Sequence, residues 1–133
     1  MKAKHVVLFA VMLALILLSA AITGSQPPPK EHPLHIRKVH NKWKVVDAKD
    51  STKTLVQTKK GENIVWKALG TDVYLQFPDS TLFGTESETI TSGKTLRLRV
   101  LPTAQSGRYP YAVFCVTGKA YATGDSPPVI IVE

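Results

Sequence analysis

Residues 95–100 read Thr95-Leu96-Arg97-Leu98-Arg99-Val100, with apolar and polar side chains in strict alternation. A period of two suits a strand with one dry face and one wet face, and it suits no helix. The same period recurs along the chain. Trp43 and Val45 alternate with Lys42 and Lys44, and Ile64, Trp66 and Ala68 with Asn63, Val65 and Lys67. Val73, Leu75 and Phe77 alternate with Asp72, Tyr74 and Gln76. Residues 129–132, Val-Ile-Ile-Val, are apolar throughout and predict a more deeply buried last strand. Turn-forming residues separate these runs at 60–62, 69–72, 78–80, 92–94, 117–119 and 124–128. No helical spacing of useful length appears, although residues 80–88 have room for a short helical turn. About seven short strands in about 100 residues predict an all-β chain folded as a two-sheet β-sandwich, with a small barrel as the alternative.

The amino end has a different character. Lys2 and Lys4 precede an unbroken apolar run over residues 6–18, and the small residues Ser19, Ala20 and Ala21 follow. This is the layout of a secretory signal. The run is shorter than the roughly 20 residues that cross a bilayer comfortably. Residues 1–21 are therefore expected to be a signal peptide cleaved after Ala21, or alternatively after Ser25. An uncleaved anchor is the competing reading, and only it would put the chain in the membrane. A secreted or periplasmic location follows. Residues 22–39 hold Pro27, Pro28, Pro29 and Pro33 and are expected to form a Pro-rich linker. Residues 40–133 then make one domain, expected to be a monomer. With Cys115 as the only cysteine, no internal disulfide can form, so the domain must stand on packing.

The 133 residues carry a formal net charge of +7. Residues 30–67 hold ten Lys or Arg against the acids Glu31, Asp47, Asp50 and Glu62. Residues 68–133 hold five Lys or Arg against six acids. Two readings of the basic half stand open. It attracts an anionic partner, such as a membrane surface, an envelope polymer or an acidic protein. Otherwise its lysines keep strand edges from pairing. Nucleic acid is excluded as a partner, because basic and aromatic residues do not interleave.

Two stretches carry a family likeness. The first is Gly61-Glu62-Asn63-Ile64-Val65-Trp66. The second is Gly107-Arg108-Tyr109-Pro110-Tyr111-Ala112-Val113-Phe114-Cys115, followed by a loop and then Pro127-Pro128-Val129-Ile130-Ile131-Val132. Together they make residues 40–133 resemble the cupredoxins, in a copper-free, exported bacterial form. The resemblance implies a cupredoxin-like Greek-key sandwich. In cupredoxins one histidine follows the Trp strand, and a second histidine and a methionine follow the cysteine. Here residues 69–77 and 116–124 contain neither His nor Met. The Gly107-x-Tyr109 frame puts the ligand position at Val113, and Cys115 lies two residues on, on the same strand face. A lone buried cysteine is usually a small core residue. No cofactor is expected.

The residues offer few other sites. His32, His35 and His40 are the only histidines beyond the signal, and they suit either weak Cu(II), Ni(II) or Zn(II) binding or plain solvation. With Cys115 they form the alternative reading, a copper-binding or electron-transfer protein. No nucleophile elbow, phosphate loop or paired-carboxylate setting appears, so no enzyme is expected. The expected function is an exported binding or structural module of the cell envelope. Its candidate surfaces are the basic residues 42–60, the loops at 69–72 and 120–128, and the aromatic Tyr121. Tyr109, behind Gly107, is placed for a tyrosine corner or for a wet hydroxyl at a strand edge.

Overall fold

The computed structural model describes residues 26–124 and 127–133. The expected signal, residues 1–21, and residues 22–25 lie outside them. The strands in chain order are β1 (Glu31–Val39), β2 (Lys42–Asp47), β3 (Val56–Thr58), β4 (Asn63–Ala68), β5 (Val73–Gln76) and β6 (Ser87–Ile90). They continue with β7 (Thr95–Arg99), β8 (Gly107–Pro110), β9 (Ala112–Cys115), β10 (Ala120–Tyr121) and β11 (Val129–Val132). The described residues contain no helix, and residues 80–84 form turns closed by Gly84 N–H on Ser80 O at 2.8 Å.

One layer is the sheet β2-β1-β4-β7. The other comprises β10-β9-β5-β6 and β3-β11-β8. Those two sheets share one run of chain, β8 to β9, interrupted only at Tyr111. The Tyr111 N–H still donates to Pro128 O, which extends the β11 ladder past the break. The result is an all-β, cupredoxin-like Greek-key sandwich of two layers. It has more strand segments than the sequence suggests because short pieces such as β3 and β10 carry too few residues to show a period.

The linker expectation for residues 22–39 does not hold over 31–39. Residues 31–39 are β1, an inner strand of the first sheet, antiparallel to β2 and parallel to β4. The prolines hid it. Pairing with β2 ends at Leu34–Asp47, so one flank of Pro33 has no ladder to break. The Pro33 carbonyl still accepts from Ala48 N–H at 3.0 Å. Leu34 and Ile36 are buried while Pro33 and Lys38 are exposed. His40 and Asn41 turn the chain into β2 with φ of 51° and 65°, as a two-residue hairpin of the favoured hand requires.

Between the layers lies an aromatic cluster around Trp66. Phe77, Phe83 and Tyr111 approach its ring with centroids 5.7–5.9 Å away. The Trp66 indole N–H donates to Tyr111 Oη at 3.1 Å, joining the two layers by a buried polar contact. Burial pushes the Tyr111 hydroxyl well above the ordinary phenol range, so it stays protonated. Tyr109 forms the tyrosine corner, its hydroxyl donating to Gln105 O at 2.5 Å. Tyr111→Phe will strand the indole N–H in an apolar core. It is expected to lower stability by about 1–3 kcal/mol in urea unfolding, with the m-value unchanged.

Candidate functional site

Cys115 ends β9, in register with Val73 on β5 and Ala120 on β10. Its side chain points into the core and is fully buried, as is that of Val113 two residues earlier. The inward face expected from the two-residue shift is therefore observed. Burial pushes the thiol up to about 11, so it is protonated at neutral pH.

The end of the sandwich beside Cys115 is built from residues 69–72 and 116–123. Val116 N–H donates to Asp72 O at 3.0 Å. Thr117 N–H donates to the buried Thr71 Oγ1 at 3.0 Å. Ser92 N–H donates to Asp72 Oδ1 at 2.8 Å. Asp72 is thus occupied in holding three loops together. Over this end lies Trp43 of β2. A Cβ placed on Gly118 would stand 2.0 Å from Trp43 Nε1, so the indole packs directly on the glycine backbone. The Lys38 ammonium lies 5.4 Å from the Trp43 ring centroid. Thr123 N–H donates to Trp43 O, and Val45 N–H to Thr123 O, each at 2.9 Å, clamping the loop to β2. No local pattern signals the Trp43–Gly118 contact, which joins residues far apart in the chain.

The histidines do not converge on Cys115. His32 pairs with the carboxylate of Glu62 at 3.0 Å, level with the start of β4 and so at the far end of the sandwich. Burial acts to raise the Glu62 pKa, but hydrogen bonds from His32 and the Lys59 N–H, with the charges of His32 and Lys30, hold it below the usual range. His35 sits on the outward face of β1, in register with Lys67. His40 occupies the exposed β1–β2 turn, at the same end as Cys115. Since His32 and His35 are fixed in β1, no flexible linker carries them across. Among the described residues no three His, Cys, Asp or Glu side chains group as metal ligands. A type 1 copper centre needs two imidazoles and a thiolate. The groups around Cys115, namely valine, alanine and a threonine already hydrogen-bonded, do not fit it.

Tyr121 is exposed and packs edge-on against Phe114, with ring centroids 5.1 Å apart. It does not cap the core. With Tyr74, Gln76 and Ala112 these two rings line an open groove on the outer face of the second layer. No helix of the described residues is long and apolar enough to cross a membrane.

No family model and no curated protein matches this sequence. Solved structures similar to it include a reduced amicyanin variant, 11% identical over 83% of this chain and 87% of that one, with a TM-score of 0.47. An oxidised amicyanin variant is 15% identical over 84% and 88%, with a TM-score of 0.48. A purple cupredoxin from Nitrosopumilus maritimus is 9% identical over 77% and 99%, also at 0.48. The two-layer all-β sandwich of this chain stands on its own strand order and register.

Two outcomes test this geometry. Gly118→Ala will force the indole off its seat and is expected to cost about 1–3 kcal/mol by thermal or urea unfolding. Much of that cost should be relieved when Trp43→Phe is added. Burial, then the Lys67 and Arg37 charges, lower the His35 pKa from 6.5, against a smaller opposing effect of Asp47. Protonation of His35 therefore favours the unfolded chain, and stability falls as pH drops through 6.5 toward the folded value. An NMR titration of His35 should give a midpoint below 6.5 that rises in Lys67→Ala.

Proposed function

We propose that this chain is an exported, cupredoxin-like binding module of the cell envelope that works without a type 1 copper centre. The observation that carries the reading is the surroundings of Cys115. The thiol is buried among apolar neighbours, no imidazole reaches it, and the loop end above it is closed by Trp43 on Gly118. Electron transfer by a blue-copper site needs a thiolate bound to a metal held in fixed geometry. Here the same frame is packed as core. The apolar run and small residues ahead of the domain support export. The absence of a nucleophile, base and oxyanion arrangement in the sequence favours binding over catalysis.

The test is metal content and visible absorption of the protein after incubation with Cu(II) and desalting, alongside Cys115→Ala. The expected result is no stoichiometric copper and no intense thiolate-to-copper band. One equivalent of copper with that band, lost in Cys115→Ala, overturns the reading and makes the chain an electron carrier.

A further inference from the structure

We propose that the outward face of the sheet β2-β1-β4-β7 is a docking surface for an anionic phospholipid bilayer. The inference supplies a partner for the binding-module reading above and rests on it.

Register places the charges. Arg37 on β1 lies beside Lys44 on β2, and Lys42 follows one pair along the same face. Lys67 on β4 lies beside His35. Val65 on β4 lies beside Arg97 on β7, and Asn63 beside Arg99. The alternate residues Leu34, Ile36, Val45, Ile64, Trp66 and Ala68 face the core, so this cationic set shares the outer face. The one acid in these rows, Glu31, is paired with Arg97 at 3.1 Å. Asp47, at the margin, accepts from the N–H groups of Lys49 and Asp50 in its own loop. The face already acts on His35, where burial, Lys67 and Arg37 all disfavour the imidazolium. Arg37 Nε is in addition a buried donor with no acceptor among the described residues.

Protection of strand edges accounts for Lys42 and Lys44 on β2 and for Arg97 and Arg99 on β7, which are the edge strands. It does not account for Arg37 and Lys67, which lie on the inner strands β1 and β4 and have no free edge to guard. The shape of the face selects the partner. Cations are spread over four strands at spacings of about 4.8 Å, roughly 15 Å across. The cations are spread along the sheet, with Val46 and Arg37 Nε buried among them, and are not gathered round one anion. Lipid headgroups diffuse sideways to meet each cation, whereas an acidic protein must match the pattern with fixed carboxylates. Each Lys or Arg near an anionic leaflet strengthens binding about fivefold.

The experiment is co-sedimentation of the full chain with phosphatidylcholine vesicles, with and without phosphatidylglycerol. Lys44→Glu with Lys67→Glu is compared with a pair carrying the same charge change off the face, Lys59→Glu with Arg108→Glu. Binding is expected only to the anionic vesicles and to weaken as salt rises. The face pair should lose at least about tenfold and the control pair less than about threefold. Lys44→Gln with Lys67→Gln replaces the face pair if the reversal does not fold. Equal losses in the two pairs overturn the inference, because net charge alone would then be at work. So does equal binding to neutral vesicles, which a retained apolar segment would produce. Release of vesicle-bound protein by polyglutamate at a lower anion concentration than by phosphatidylglycerol vesicles also overturns it, in favour of an acidic polypeptide. A chain that binds copper and still passes this test loses the copper-free reading and keeps this one.

Discussion

The hydrogen bond from the Trp66 indole to the Tyr111 hydroxyl is the constraint around which this sandwich is arranged. Each ring brings a polar atom into a largely apolar core, and each is tolerable there because of the other. Trp66 comes from an inner strand of one layer. Tyr111 comes from the single residue that separates β8 from β9 in the other. Tyr109, Tyr111, Val113 and Cys115 all face inward in one unbroken alternation, while the two halves of the run pair with different neighbours. β8 then serves β11 and β9 serves β5 and β10. The residue that binds the layers is thus also the one that lies between β8 and β9.

The end next to Cys115 shows how little separates a metal frame from a plain core. A strand delivers a cysteine to a loop-rich rim, two residues beyond the position that the family resemblance attaches to copper. What differs is the company the thiol keeps. Valine and alanine flank it, a threonine hydroxyl and a carboxylate tie the loops by ordinary hydrogen bonds, and an indole rests on the glycine of the neighbouring turn. Rigidity that could hold a ligand set is spent here on holding loops. Cationic side chains, meanwhile, lie on the outside of the first sheet.

Much of this was legible in the sequence, for definite reasons. Alternation in residues 95–100 and 63–68 marked strands because half-buried sheets impose it. The same period allowed Cys115 an inward aim, while the Gly-x-Tyr at a strand entry suited a tyrosine corner and a wet hydroxyl equally. β1 was missed because Pro33 and the three consecutive prolines ahead of it carry the composition of a linker. The local signal against a strand was overridden by pairing on both sides, with β2 and β4. The cationic face was only half visible. The sequence shows that residues 30–67 are basic, but which lysines share a surface depends on sheet order. Arg97 and Arg99, outside that segment, join it through β7. The seating of Trp43 on Gly118 is a packing relation between distant residues and has no local trace.

The position of β1 also bears on how the domain comes into being. A chain made from its amino end presents an inner strand first. Its partner β2 follows at once across the His40–Asn41 turn, and a hairpin is the fastest kind of β pairing to form. The other flank of β1 has to wait for β4, a parallel partner that closes a long loop and is slow to arrive. In that interval the nascent hairpin carries an open edge, the feature most prone to recruit a stray strand. Lys42 and Lys44 lie on the β2 side of this hairpin. Charges on an edge strand disfavour pairing with other copies.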